Sequence, residues 1–122
     1  MSTFRYLVDD VQTAIDFYTD MLDFEIGEKW GSAFATVTRS GITLWLSGPE
    51  TSAAKAMPDG RVPKPGGWNR LVLDVENLDA LVEKLRESGA EFRNDIVVGP
   101  GGRQILLNDP SGNPIELFEP AG

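Results

Sequence analysis

Apolar side chains recur at helical spacing in two stretches of the chain. Val11, Ala14, Ile15, Tyr18, Met21 and Leu22 fall on one face of a helix, and Asp10 stands before them as an N-cap. Leu78, Leu81, Val82 and Leu85 repeat the pattern, with Asn77 as cap and Gly89 as a C-terminal stop. A strand-like run precedes each helix: Phe4 to Val8 and Leu71 to Val75. Three more strands are predicted after each helix. In the first half they lie near Phe24 to Glu28, Ala33 to Thr38 and Ile42 to Leu46. In the second they lie near Glu91 to Val98, Arg103 to Leu107 and Pro114 to Phe118. Ser40-Gly41, Gly99-Pro100-Gly101-Gly102 and Asp109-Pro110-Ser111-Gly112-Asn113 are turn signals.

The chain thus reads strand–helix–strand–strand–strand, twice. An offset of 67 sets Val8 on Val75, Asp10 on Asn77, Val11 on Leu78, Ile15 on Val82 and Tyr18 on Leu85. The repeat is one of pattern more than of identity. It predicts a single α+β domain over 1–122, built of two βαβββ modules, about 1–47 and 68–122, joined by a Gly/Pro-rich linker over about 48–67. Ala53-Ala54-Lys55-Ala56-Met57 in that linker is either a short helix or a mobile segment. One helix covers one face of its module's sheet. The other faces are expected to curve around a cleft walled by strand side chains.

Composition narrows the chemistry. The 122 residues contain neither cysteine nor histidine, which removes thiol and Ser-His catalysis, zinc–thiolate sites and imidazole ligands. Nineteen acidic residues against eleven basic ones give a net charge of −8, unfavourable for nucleic acid or an anionic membrane. The same charge also serves solubility alone. No apolar run reaches the length of a membrane span, and the N-terminus lacks a signal-peptide core, so a cytoplasmic protein is expected.

The first half carries Val8-Asp9-Asp10-Val11, Ala14-Ile15-Asp16-Phe17-Tyr18 and Leu22-Asp23-Phe24, similar to a V-x-D-L-x-x-A-x-x-F-Y-x-x-x-L-G-F opening. The second ends in Asn108-Asp109-Pro110-Ser111-Gly112-Asn113-Pro114-Ile115-Glu116-Leu117, similar to D-P-x-G-N-x-I-E-L. In this the chain resembles the vicinal oxygen chelate superfamily, which includes glyoxalase I, bleomycin-resistance proteins, fosfomycin-resistance enzymes and extradiol dioxygenases. Two features of the motifs have plain structural readings. Phe17-Tyr18 suits a helix core, and the Asp109–Asn113 stretch suits a turn. Asp23 stands where the family has Gly, which predicts a slightly strained corner.

The resemblance implies four metal-ligand positions in the family's metal enzymes, usually two His and two Glu. By position they fall on Thr3, on Trp45 within a register of one, on Arg70 and on Glu116. One ligand of four survives, and a guanidinium repels a divalent ion, so no metal and no other cofactor is expected. Arg70 either replaces the metal's charge and pairs with Glu116, or points outward to solvent; strand register decides.

Trp30, Phe34, Trp45, Trp68, Phe92 and Phe118 are expected near the cleft or in the core. Trp30 and Trp68, flanked by glycine and polar residues, are the better ligand candidates. Trp45 lies in the apolar run Leu44-Trp45-Leu46. The resemblance to the metal-free, drug-binding branch implies a homodimer that sequesters a small organic molecule, aromatic or like a natural product. Trp30, Phe34, Trp45 and Trp68 would line its site, and Thr3, Asn69 and the Arg70–Glu116 pair would supply polar contacts. An alternative is a glyoxalase-like lyase or isomerase with Glu116 as general base and Arg70 stabilising an enolate-like charge. A third reading is an assembly module whose cleft is a dimer seam. No phosphate-binding or dinucleotide-binding glycine motif is present.

Overall fold

Two capping carboxyl or amide side chains start the two helices. The Asp10 carboxylate accepts from the Thr13 backbone N–H and begins α1 (Val11–Met21). The Asn77 side chain accepts from the Ala80 N–H and begins α2 (Leu78–Glu87). The two bonds are related by the same offset of 67 that relates the sequences. The computed structural model describes residues 2–122; Met1, at the head of the first predicted module, lies outside them.

Contacts divide the chain into two units. The first is Met1–Gly66 with Pro110–Asn113, and the second is Gly67–Asp109 with Pro114–Gly122. In the first unit, β1 (Ser2–Leu7), β2 (Glu25–Trp30), β3 (Phe34–Arg39) and β4 (Ile42–Ser47) form a mixed sheet in the order β1-β4-β3-β2. β1 runs parallel to β4; the other pairs are antiparallel. Leu44, Leu46, Ala35 and Val37 alternate onto the face that meets α1, where Val11, Ala14, Ile15 and Tyr18 are also buried. Tyr18 takes Phe17 and Phe24 edge-on, with ring centroids at 5.2 and 5.3 Å, so this pair of motif aromatics is core. Ser40 and Gly41 both take positive φ, 47° and 83°, and close the β3–β4 hairpin in two residues. Asp23 has φ 59°, left-handed as expected of the family's glycine position.

The Pro110–Asn113 turn belongs to the first unit through its side chains. Buried Asn113 donates to the Leu7 carbonyl at 2.7 Å and accepts from the Gly66 N–H at 2.9 Å. Ser111 accepts from the Asp9 N–H at 2.9 Å. The stretch after β4 holds a single 3-10 turn at Ser52–Ala54, one residue ahead of the predicted short helix.

In the second unit, β5 (Leu71–Asp74), β6 (Glu91–Phe92), β7 (Val97–Gly99), β8 (Gly102–Asn108) and β9 (Pro114–Pro120) form the second sheet. Its order is β5-β9-β8-β6, with β7 also on β8. The predicted single strand from Glu91 to Val98 is therefore two short ones. Asn94 explains the break: its side-chain oxygen, not a main-chain carbonyl, accepts from the Leu106 N–H. Leu71, Leu73, Ile105, Leu107, Ile115 and Leu117 are buried with Leu78, Val82 and Leu85 of α2. Among the described residues no helix is long and apolar enough to cross a membrane.

The sheets repeat each other in register. Arg5 lies beside Trp45 across β1 and β4, and Val72 lies beside Glu116 across β5 and β9. Arg5 and Val72 are related by the offset of 67, so Trp45 is the counterpart of Glu116 without a slip. The Val8 N–H bonds to Ser47 O and the Val75 N–H to Phe118 O, which confirms the alignment two residues further on.

Candidate functional site

Alternation along the first sheet sends one set of side chains away from α1. Thr3 and Arg5 on β1, Trp45 and Ser47 on β4, and Phe34 on β3 share that face through direct cross-strand pairing. Trp30, on the edge strand β2, pairs with Phe34 and extends the row. Trp45 meets Phe34 edge-to-face, with centroids 5.8 Å apart and planes at 74°. Trp45 remains 36% exposed between two fully buried leucines, so the apolar run Leu44-Trp45-Leu46 does not put it in the core: a strand sends neighbours to opposite faces. Trp30 is 67% exposed, and its indole N–H reaches a Glu28 carboxylate oxygen at 3.1 Å.

Arg5 carries polar chemistry on this face that the sequence alone did not single out. Its guanidinium lies 4.9 Å from the Trp45 ring centroid and donates to the Ser47 hydroxyl at 3.1 Å. The signal was available: Arg5 is two residues from Thr3 on a strand, and so on the same face.

In the second sheet, Arg70, Glu116 and Phe118 face away from α2. Arg70 directs Nε (3.1 Å) and Nη2 (2.8 Å) onto Oε1 of Glu116, and Nη1 onto the Trp68 carbonyl at 3.2 Å. The side chains are 28% and 10% exposed, so the outward, solvated position weighed for Arg70 does not occur. Trp68 lies 4.6 Å under the guanidinium of Arg93, which also donates to Gly67 O and to the Asn108 side chain. Asn69 is exposed in the segment before β5. Phe92 pairs with buried Leu107 and lies under Arg86 of α2; it is a helix-side residue and not part of any cleft wall.

The structure brings Thr3, Phe34, Trp45 and Trp30 together on one sheet face, and Arg70 with Glu116 on the other sheet. A divalent metal does not fit the positions that the family resemblance marks. Thr3 is a weak donor, Trp45 offers no lone pair, Arg70 is a cation, and the one carboxylate already accepts two N–H groups from it. Among the described residues, no three His, Cys, Asp or Glu side chains are grouped so as to hold a metal ion.

Three further ionisable groups shape the second unit. Arg103 joins Asp79 of α2 to Glu119 of β9, each at 2.8 Å. Its hydrogen bonds hold the Asp79 carboxyl below the usual range. The Leu78 N–H and then Arg103 do the same for Glu119.

The model of the Glyoxalase/Bleomycin resistance protein/Dioxygenase superfamily matches residues 1–117. The chain belongs to this superfamily. Solved structures agree with it over nearly the whole length. A superfamily member from Sphaerobacter thermophilus is 29% identical, with a TM-score of 0.76, covering 98% of this chain and 95% of that one. TnmS3, an antibiotic binding protein from Streptomyces sp. CB03234, is 28% identical, with a TM-score of 0.73 and coverage of 98% and 93%. Lactoylglutathione lyase from Agrobacterium tumefaciens shares the fold at 18% identity, with a TM-score of 0.74 and coverage of 98% and 92%. No curated protein matches the sequence. The superfamily thus spans an antibiotic-binding protein and a lyase on one fold.

Proposed function

We propose that this chain binds a small aromatic molecule, without a metal and without altering it. The observation that carries this reading is the Phe34–Trp45 pair, a half-buried ring against an exposed one, on the sheet face that α1 leaves uncovered and continued by exposed Trp30. Large rigid aromatics at a surface cost solubility unless something stacks on them, and each good stack adds about 0.5–1.5 kcal/mol beyond burial. The 28% identity to an antibiotic binding protein supports the same reading. So does the Arg70–Glu116 pair, which occupies with a fixed cation the position where metal-dependent relatives need a ligand. Thr3, on the same sheet face, supplies a hydroxyl in this reading.

The lyase or isomerase reading is less well supported. A general base at Glu116 would have to work through Oε2, because Oε1 already accepts two N–H groups from Arg70, and the guanidinium that would stabilise the developing charge is the one so committed. The reading includes a homodimer, as the family resemblance implies, and sedimentation velocity checks it.

Tryptophan fluorescence against a panel of polycyclic aromatic antibiotics and α-ketoaldehydes is the test, with mass spectrometry of each incubated compound. The expected result is saturable quenching by an aromatic compound recovered unchanged, weakened roughly tenfold or more by Trp45→Ala. Turnover of any compound, abolished by Glu116→Gln, would replace this reading with the enzymatic one.

A further inference from the structure

The cation stacked on Trp45 has no anion. Arg61, Arg70, Arg86 and Arg103 each meet a carboxylate, whereas Arg5, among the described residues, meets none. It does so in a chain with eight more acidic than basic side chains, where a counter-charge is easily found. Arg5 is held all the same. β1 pairs it with Trp45, the indole supports the guanidinium from one side, and the fully buried Ser47 fixes one N–H through its hydroxyl. A guanidinium has five N–H donors, and this one has spent one of them on protein. It is a positioned donor set beside the Phe34–Trp45 pair with its remaining donors uncommitted.

From this we infer that the ligand's planar frame carries an ionised acidic group, a carboxylate or an acidic phenolate, which Arg5 binds while the rings lie over Phe34 and Trp45. The inference rests on the small-molecule reading and adds the ligand's charge to it. The net negative charge of the chain strengthens the role of Arg5. The overall field repels anions, so selectivity for one must come from a local, prepositioned cation.

Pyrene-1-carboxylate and pyrene-1-carboxamide form a shape-matched pair of probes, one an anion and the other neutral with an NH2 in place of one oxygen. Their binding isotherms are read from pyrene emission. The wild-type chain is expected to bind the carboxylate about tenfold more tightly, as charge-assisted hydrogen bonds to a positioned guanidinium give. In Arg5→Gln the two affinities should converge to within about twofold, with the larger loss on the carboxylate. In the wild-type chain, the Arg5 Nε–H resonance should shift with the carboxylate and stay in place with the carboxamide, a readout that needs no variant. Equal wild-type affinities, or a preference that survives in Arg5→Gln, would overturn the role of Arg5 and leave aromatic binding intact. Failure of both probes to bind would remove the small-molecule reading, and this inference with it.

Discussion

The Arg70–Glu116 pair permits a quantitative check on the non-metallic site. In Arg70→Met, Glu116 is left charged at 10% side-chain exposure, with the two N–H donors to Oε1 removed. Breaking a fully buried pair costs about 3–5 kcal/mol. Arg70 is 28% exposed, so water already screens part of the attraction, and the expected loss is about 2–3 kcal/mol. Glu116→Gln leaves the cation instead, which swings more readily to solvent and keeps an amide oxygen as acceptor; about 1 kcal/mol is expected. The double variant strands no charge and should cost little more than Glu116→Gln. The coupling energy is therefore about 1.5–2.5 kcal/mol. Urea unfolding of the four proteins measures it, provided the slopes agree. Coupling below about 0.5 kcal/mol, or a smaller cost for Arg70→Met than for Glu116→Gln, would refute the argument that the buried carboxylate depends on this guanidinium. Thermal melts with Zn²⁺ and Mn²⁺ add a functional arm. No stoichiometric stabilisation is expected in the wild-type chain, because binding an ion there would require breaking the pair first.

Three other outcomes follow from the same geometry. Asn113→Ala should destabilise by about 2–3 kcal/mol in urea melts, since it strands the Leu7 carbonyl and the Gly66 N–H that the buried amide satisfies; a cost under about 0.5 kcal/mol would mean water replaces the amide freely. Asp23→Gly should raise stability by about 0.5–1 kcal/mol, because φ 59° is a left-handed conformation that glycine adopts without steric cost. Asp79 and Glu119 both titrate below their ordinary 3.8 and 4.5 in the folded chain, so their stabilisation is complete above that range and is lost as pH falls through the folded values. Arg103→Leu should flatten this acid limb, measured as the melting temperature from pH 6 to pH 2.5 relative to wild type.

Much of this arrangement was legible before the structure. Helical spacing and the two caps located α1 and α2 to within a residue, because burial against a sheet demands a periodic face and a helix start demands an acceptor. Asp23 was legible as a strained corner because the family resemblance places a glycine there, and its φ of 59° is left-handed. Side-chain substitution for main-chain bonding was not legible. Nothing in the run from Glu91 to Val98 announces that the Asn94 amide displaces a strand bond. Facing was legible only where register was known. Trp45 looked apolar by its neighbours and turns away from them, while Phe92 looked like a cleft aromatic and packs with α2. Arg5 belongs to no motif of its own; the family's ligand positions mark Thr3, two residues before it on the same face.

The internal repeat gives these site residues a common logic. Trp45 and Glu116 occupy one equivalent slot, the middle of the last strand in each module, and both face away from the module's helix. In each case an arginine from the first strand of the module, or from the residue leading into it, holds the occupant: Arg5 over the indole, Arg70 on the carboxylate. The arginines are not equivalent, since Arg70 aligns with Thr3 and Arg5 with Val72. One module has thus kept the acid and neutralised it within the protein. The other has an aromatic in that slot, and its arginine meets no carboxylate among the described residues. Charge is closed on one sheet and open on the other. A ligand that needs a cation should therefore depend on Arg5 and remain indifferent to Arg70, whose charge is already paired with Glu116.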